Sequence, residues 1–408
     1  MRKIAGLSPA LRLTLVFVIL IFVNACSQKE SVKSDYQWQI IPGFPKPQVP
    51  ENNAMTEAKV ALGRAIFYDN NLSANQTQSC ASCHNQAFAF GENIERSIGS
   101  TGQSHRRNAS VLVNIAYNKT LTWAHDGLTT LERQILLPMF AESPIELGIT
   151  GHEKEILGRF KSNNYLALFE QAFPHQEISY ELIVKALASF VRSLISLQSP
   201  FDQYAYANDD HALSASALRG MTLFFSERLE CHHCHGGFNF TQSTSHEKQL
   251  LDRRPFHNTG LYNVVVDNLA GDNVKSGNSN ASTVNAGYPS DDIGLAEISL
   301  QAKDNGRFRA PTLRNISVSS PYMHDGSIAS LAEVLDFYAA GGRHIDSGKN
   351  QGDGRLNPLK SAFIKGFEMN EQDKVDVIAF LDALTDPSFL TNPAFAKPEM
   401  DKIEVDKP

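Results

Sequence analysis

The chain has few cysteines and no cluster of basic residues. Four of its five cysteines form two Cys-x-x-Cys pairs, so no set remains for a disulfide framework. The net charge is −7, from 37 basic and 44 acidic residues without a basic stripe, which argues against nucleic-acid binding. A hydrophobic content of 42% over 408 residues excludes disorder and indicates a globular protein of two domains.

The N-terminus has the pattern of an export signal. Arg2, Lys3 and Arg12 provide positive charge around the start of an almost entirely apolar, eleven-residue run at 13–23. This run is too short to cross a bilayer but has the length of a signal-peptide core. We therefore expect residues 1–25 to be a signal peptide that is removed on export.

The sequence around Cys26 resembles a bacterial lipobox, with the small residue Ala25 before the cysteine. Cys26 would become the lipidated first residue of the mature chain, and Ser27 in place of an aspartate favours the outer membrane. The alternative is ordinary cleavage near Ala25 with Cys26 left as a free thiol. Residues 26–50 are predicted to be a lipidated tether, so we expect a periplasmic protein that contacts the membrane only through its lipid anchor.

Two Cys-x-x-Cys-His sequences occur, one at Cys80, Cys83 and His84 and the other at Cys231, Cys234 and His235. In this motif two thiols on one helical turn can each add to a haem vinyl group, and the adjacent histidine binds the iron. A four-thiolate zinc site would not need a histidine after both pairs. Redox-active dithiols are also disfavoured, because the chain is predicted to be exported and lacks a thioredoxin-like strand pattern. The motifs predict two covalently bound c-type haems.

The chain repeats itself around these two sequences. An amphipathic helix is predicted before each of them, at 62–68 and at 218–225. Further similarities follow: Arg107-Asn108 with Arg314-Asn315, Trp123 to Gly127 with Tyr322 to Gly326, and Leu131 with Leu331. The repeat predicts a mainly α fold of two related cytochrome c-like haem domains.

The domain limits follow from this repeat. We expect the N-terminal haem domain at 51–210, the C-terminal haem domain at 211–390 and a tail at 391–408. A helix is predicted over 176–198, before the boundary. Residues 241–304 are rich in Asn, Ser, Asp and Gly and are predicted to form a long loop excursion.

The two irons need not be equivalent. Tyr338 lies seven residues beyond Leu331, whereas Pro138 occupies the matching position beyond Leu131. A phenolate can bind ferric iron as a sixth ligand and a proline cannot, so the second haem could be closed and the first open. Met139 could still reach the first iron, and Tyr338 could instead be a core aromatic residue.

Many separated motifs resemble the bacterial dihaem cytochrome c peroxidase and MauG superfamily, over about residues 50 to 390. They are Leu62-Gly63-Arg64, Phe67-Tyr68-Asp69, Leu72-Ser73, Cys80 to His84, Arg107-Asn108, Trp123, Pro311 to Asn315 and Pro321 to Gly326. Other segments are more similar to the MauG-like branch, which includes the methanobactin-associated enzyme MbnH: Tyr36 to Trp38, Pro42 to Pro50, Thr122 to Ala124 and Glu230 to Phe238.

The resemblance implies roles for particular residues. His84 would bind the open, peroxide-reactive iron, and His235 and Tyr338 would bind the closed one. The peroxidase branch has methionine where this chain has Tyr338, so the tyrosine points to the MauG-like side. Trp123 matches the tryptophan between the haems, and on spacing alone it could equally be a core residue.

The family's distal pair matches Glu146, as the acid-base group, and Gln134, as its orienting partner. Glu142 is a rival for the first role. Peroxidases that require reductive activation carry a loop histidine that blocks the open haem, and His105 lies out of register with it. We therefore expect a surface histidine at 105 and a site that is ready in the ferric state.

The resemblance also implies one calcium ion, held by Asn108, Ser319 and Pro321. Three oxygen ligands with added waters suit Ca²⁺. The remaining histidines have no second ligand at a metal spacing and are expected to be structural, and His324 could support a haem propionate. These histidines are His125, His152, His232, His233, His257 and His324.

The resemblance implies a dihaem enzyme that consumes hydrogen peroxide, stores two oxidising equivalents across both haems and oxidises a residue, such as a tryptophan, on a partner protein. A second hypothesis is a cytochrome c peroxidase that takes electrons from a small cytochrome or cupredoxin. A third is a non-enzymatic electron carrier with two six-coordinate haems. A high-spin ferric haem at rest would support the enzymes over the carrier.

Overall fold

The computed structural model describes residues 36–246, 255–263, 292–348 and 350–399. The predicted signal peptide, Cys26 and the first part of the tether lie outside the described residues. The same holds for most of the predicted loop excursion and for the end of the tail. Among the residues that are described, no helix is long and apolar enough to cross a membrane.

The described chain is mainly helical. Thirteen α-helices are formed by the described residues: α1 (Glu57–Phe67), α2 (Cys80–Cys83), α3 (Leu131–Phe140), α4 (Glu153–Arg159), α5 (Asn163–Ala172), α6 (Tyr180–Ser193), α7 (Pro200–Tyr206), α8 (Ala215–Phe224), α9 (His232–His235), α10 (Ala296–Ser299), α11 (Leu331–Ala339), α12 (Glu371–Asp382) and α13 (Pro387–Thr391). Seven short 3-10 helices join them: Glu51–Asn53, Asn70–Leu72, Gln86–Phe88, Ile115–Tyr117, Ala302–Asp304, Ile316–Val318 and Gly354–Leu356.

Strands are short and paired in twos. Strand β1 (Phe256–His257) runs antiparallel to β2 (Phe308–Arg309), and β3 (His344–Ile345) runs antiparallel to β4 (Gly352–Asp353). The expectation of a mainly α chain is therefore confirmed.

Polar caps set where the longer helices begin. The Ser179 hydroxyl accepts a hydrogen bond from the Leu182 amide, so α6 begins at Tyr180, several residues later than the hydrophobic pattern alone predicts. Ser330 and Glu333 form a capping box at the start of α11, which fixes the register of the helix that carries Tyr338.

The buried apolar residues form two main clusters, which we call the N-terminal and the C-terminal core. The N-terminal core is built from residues between 62 and 194, joined by Phe389 near the C-terminus. The C-terminal core is built from residues between 201 and 384. The exact domain limits drawn from the sequence remain a prediction.

An equivalent pair of crossing helices supports each core. In the N-terminal core, Gly63 of α1 lies so close to α6 that a Cβ atom there would stand 2.0 Å from the carbonyl oxygen of Ala186. In the C-terminal core, a Cβ atom at Gly220 of α8 would stand 1.8 Å from the carbonyl oxygen of Asp376 in α12. Glycine is required at both crossings because the helix backbones are almost in contact.

A polar network shows the register of the repeat. Asn114 and Asn315 both have positive φ, 54° and 58°, and each precedes a 3-10 helix. Asn114 accepts a hydrogen bond from the Ser196 amide, and Asn315 accepts one from the Asp386 amide. The counterpart of Asn315 is therefore Asn114, and the sequence pairing of Asn315 with Asn108 is wrong.

The two halves also meet in this network. The Asn114 side chain donates to the Ser196 carbonyl, and the Asn315 side chain donates to the Ser196 hydroxyl. That hydroxyl in turn donates to the Asp386 carboxylate. All four side chains are buried, so this buried network joins the two repeats.

Replacing Gly220 with alanine tests the close helix crossing. The added methyl group would overlap the α12 backbone, and we expect a loss of about 1–3 kcal/mol in the free energy of unfolding. Thermal unfolding of the haem-loaded protein measures this as a lower Tm. Gly158→Ala in α4 is the matched control, because a Cβ there meets no atom of the described residues within 4 Å. An unchanged Tm for Gly220→Ala would contradict the crossing.

Candidate functional site

The first attachment sequence lies on a single helical turn. Ser79 and Ser82 form a capping box at the start of α2, and the His84 amide donates to the Cys80 carbonyl. This turn brings the two cysteines and the histidine together. The Nδ1 atom of the His84 ring lies 2.8 Å from the Phe90 carbonyl oxygen.

The second attachment sequence has the same local arrangement. The His235 amide donates to the Cys231 carbonyl, and the Nδ1 atom of His235 lies 3.1 Å from the carbonyl oxygens of both Phe240 and Pro311. Phe90 and Phe240 both have positive φ, 59° and 48°, a conformation that aims their carbonyls at the histidine rings.

These contacts suit histidines that bind iron. Burial lowers the pKa of His84 and of His235, so both imidazoles are neutral. With Nδ1 donating to a backbone carbonyl, the ring is fixed in the tautomer that leaves Nε2 as the ligand atom. Carbonyl acceptors of this kind fix the orientation of metal-bound histidines in many proteins.

The cysteines do not have the properties of a redox-active dithiol. Burial raises the pKa of each thiol, to about 12 for Cys80, Cys83 and Cys231 and about 11 for Cys234. A reactive thiol needs a lowered pKa. The four cysteines also form no common metal-binding cluster within the described part of the chain, so a four-thiolate zinc site is not built.

The second attachment sequence lines one large cavity. Cys231, Cys234 and His235 line it together with Tyr338 from α11. Burial raises the pKa of the Tyr338 phenol, so a phenolate there needs a nearby positive charge such as ferric iron. The structure thus brings the predicted cysteine, histidine and tyrosine ligands into one space.

Two further residues line this cavity. The sequence analysis did not identify Arg309, and it considered His324 only as a possible partner of a haem propionate. Arg309 is 3% exposed, and its Nη1 atom has no hydrogen-bond partner among the described residues. Burial lowers the pKa of Arg309 to about 10, which leaves it charged at pH 7. The buried Nε2 atom of His324 also lacks a hydrogen-bond partner among those residues, and a carboxylate oxygen of Asp292 lies 4.0 Å from it. A charged guanidinium with an unpaired N–H at a cavity wall fits a carboxylate of a haem.

Glu146 lies beside the first attachment sequence. Its carboxyl group is close enough to Cys80 and Cys83 to contribute to the raised pKa of both thiols. Burial raises the pKa of Glu146 itself to about 7, although its side chain is still 37% exposed. Glu142 is exposed, so the geometry favours Glu146 as the acid-base group.

Gln134 and Met139 lie on α3. The side-chain oxygen of Gln134 is buried and has no hydrogen-bond partner among the described residues, as expected of a group that awaits a ligand. Met139 is 1% exposed and packs in the N-terminal core. The roles of Glu146 and Gln134 remain predictions.

His105 is not a surface histidine, and that expectation is wrong. Its side chain is 17% exposed, and its Nδ1 atom lies 3.9 Å from a carboxylate oxygen of Glu146. This distance is too long for a direct hydrogen bond. The backbone bond from the His105 amide to the Ser97 carbonyl folds the loop back toward Glu146, a long-range contact that the sequence pattern did not show.

Trp123 lines the same cavity as the second attachment sequence. Its indole N–H donates to the Asn108 carbonyl at 2.8 Å, and its carbonyl accepts from the Arg309 amide. Asn108, Ser319 and Pro321, the predicted calcium ligands, also line this cavity. The side-chain nitrogen of Asn108 donates to the backbone carbonyls of Ile94 and Glu95, so the side-chain oxygen of Asn108 points away from these two carbonyls.

Comparison with known proteins identifies the class. The family described as di-haem cytochrome c peroxidase matches residues 57–211. The cytochrome-c peroxidase IdrP1 of Denitromonas iodatirespirans is 32% identical over 88% of this chain and 90% of its own length. The chain belongs to the dihaem cytochrome c peroxidase and MauG family, and it is an oxidoreductase with two c-type haems.

Two further relatives are on the MauG side. The methylamine utilization protein MauG of Methylorubrum extorquens is 30% identical over 91% of this chain and 93% of its own length. The crystal structure of a MauG-like protein associated with microbial copper homeostasis is 41% identical, with a TM-score of 0.82, over 89% of this chain and 99% of that one. The expectation of a cytochrome c-like dihaem fold is confirmed.

Replacing Tyr338 with phenylalanine tests the sixth ligand of the second haem. We expect loss of the phenolate to convert a low-spin ferric haem into a high-spin one, visible in the absorption and EPR spectra of the resting protein. Tyr322→Phe is the control, because Tyr322 lines the same cavity while its hydroxyl donates to the Ile316 carbonyl. A low-spin spectrum that persists in Tyr338→Phe would refute the assignment.

Proposed function

We propose that this protein is a MauG-type dihaem enzyme that uses hydrogen peroxide to oxidise a tryptophan on a partner protein. The observation that carries the proposal is Tyr338, which shares one cavity with Cys231, Cys234 and His235. The resemblance to the superfamily gives methionine at this position in the peroxidase branch. A phenolate ligand favours the oxidised form of its iron, which suits a haem that holds oxidising equivalents.

Reduction of hydrogen peroxide to two waters takes two electrons and two protons. When bound, the haems supply the iron that accepts the oxidising equivalents from peroxide. Glu146 takes a proton from the near oxygen of peroxide and returns it to the leaving oxygen. Gln134, whose side-chain oxygen is buried and unpaired among the described residues, orients the peroxide for this transfer.

Trp123 connects the cavity of the second attachment sequence with the N-terminal half. Trp123 lines that cavity, and its indole N–H donates to the backbone carbonyl of Asn108. We assign it the role of a relay for an electron that would pass between the two halves when both haems are bound. The two electrons consumed in each cycle come from the partner's tryptophan.

Two observations support a protein residue as the substrate. Tyr338 argues for the MauG-type chemistry, in which a protein residue is the substrate. The MauG-like protein associated with microbial copper homeostasis also shares 41% identity with this chain. The second candidate function is a peroxidase that takes electrons from a small cytochrome or cupredoxin, and it is favoured by the 32% identity with the cytochrome-c peroxidase IdrP1.

The remaining expectations belong to the same proposal. We place the protein in the periplasm, held to the outer membrane through Cys26. We also assign one Ca²⁺ ion to Asn108, Ser319 and Pro321, which lie together at the cavity that Trp123 lines.

The experiment adds hydrogen peroxide to the ferric, haem-loaded protein, without prior reduction. We expect reaction of the resting enzyme and, with a small exported protein encoded beside it as substrate, a mass change at a tryptophan of that substrate. Oxidation of a reduced cytochrome or cupredoxin with no mass change would instead establish the peroxidase. Two low-spin haems that do not react with peroxide would contradict both.

Glu146→Gln tests the acid-base group. Since the pKa of Glu146 is raised to about 7, its basic form increases as the pH rises through 7. We expect the second-order rate of the peroxide reaction to rise about tenfold between pH 6 and pH 8, and to fall by roughly 10²–10⁴ in Glu146→Gln with loss of this pH dependence. Glu142→Gln, at an exposed position on the same loop, is the control. A pH profile shared by wild type and Glu146→Gln would rule out this role.

A further inference from the structure

The second attachment sequence and the residues just before it carry three side chains that the proposed chemistry does not use. His232 and His233 stand between the two cysteines, and Glu227 precedes them. Within the described residues, neither histidine lines the cavity that holds Tyr338. Glu227 does not line it either, so the three side chains form a group separate from the cavity wall.

The two imidazoles face one carboxylate. The Nε2 atom of His232 lies 3.6 Å from one oxygen of Glu227, and the Nε2 atom of His233 lies 3.5 Å from the other oxygen. Both distances exceed the usual upper limit of about 3.2 Å for an N–H···O hydrogen bond. Ligand atoms about 2.0–2.1 Å from a tetrahedral zinc ion lie about 3.3 Å apart. The observed spacing is thus closer to that of ligands around one ion than to direct hydrogen bonds.

The rings are held in this orientation by stacking. His233 stacks on Phe363, with ring centroids 4.3 Å apart and an angle of 14° between the planes. The ring centroids of His232 and His233 lie 4.2 Å apart. The buried Nε2 atom of His233 makes no well-aligned hydrogen bond among the described residues, and carboxylate oxygens of Glu230 and Glu227 lie 3.0 Å and 3.5 Å from it.

The backbone that carries Glu227 is anchored on both sides. Arg228 forms an ion pair with Asp373 at 3.1 Å, and Glu230 forms one with Lys365 at 2.8 Å. A carboxylate oxygen of Glu230 also lies 3.0 Å from Nε2 of His233, which adds negative charge beside the cluster. These ion pairs flank Glu227, whose own side chain is 79% exposed and open to a ligand.

We propose that Glu227, His232 and His233 bind one divalent ion of the Zn²⁺ or Cu²⁺ class, with water completing the coordination. Imidazole nitrogen with one carboxylate is a ligand set that zinc and copper accept, whereas Ca²⁺ and Mg²⁺ require oxygen ligands. The sequence analysis found no second ligand at a metal spacing for these histidines. The structure brings Glu227 close to both of them through the course of the preceding residues.

The test titrates Zn²⁺ and, separately, Cu²⁺ into the chelator-treated, haem-loaded protein and follows binding by calorimetry. We expect one ion per chain, no binding of Ca²⁺ or Mg²⁺ at this site, at least tenfold weaker binding in Glu227→Gln, and loss of binding in His233→Asn. The matched control is His344→Asn. His344 lies 3.0 Å from Asp346 and 3.5 Å from Asp353 but has no second histidine in a cluster of the described residues.

Haem content is measured on each variant, because His233 lies inside the attachment sequence. Glu227 lies outside it, so Glu227→Gln remains informative even if His233→Asn loses its haem. Absence of zinc and copper binding, or binding that is the same in wild type and Glu227→Gln, would overturn the proposal.

Discussion

The hydrogen bond from each haem-side histidine to a backbone carbonyl is the constraint on which the site depends. His84 is held by the Phe90 carbonyl, and His235 by those of Phe240 and Pro311. Both phenylalanines adopt a left-handed backbone conformation that few residues other than glycine accept without strain. The protein thus accepts local strain twice to aim an imidazole.

The two halves then diverge from this common frame. On the C-terminal side, α11 places Tyr338 in the cavity of the attachment sequence, and the charged Arg309 lines the same cavity. On the N-terminal side, Glu146 is a weak acid whose pKa is near neutrality. One half therefore offers the tyrosine that we propose as a permanent ligand, together with a positive charge, and the other offers a group that can exchange a proton. This difference in chemistry underlies the division of labour that we propose.

Local features of this structure could be predicted from the sequence, and long-range ones could not. The attachment sequences are contiguous, and Tyr338 sits in an amphipathic helix with a clear cap, so both follow from short-range patterns. Arg309 and His105 acquire their surroundings from loops far away in the chain. The pairing of Asn315 with Asn108 failed because the same dipeptide occurs twice, whereas the backbone conformation belongs to Asn114.

The buried network of Asn114, Ser196, Asn315 and Asp386 has a consequence for electron exchange. It ties the ends of the two helices that support the cores to the loops that carry the repeat, by backbone and side-chain bonds out of reach of water. Tunnelling between redox centres falls steeply with separation, and this buried network joins the two halves that carry the attachment sequences. The rate at which the two halves share an oxidising equivalent would then be a fixed property of the fold, insensitive to salt or viscosity.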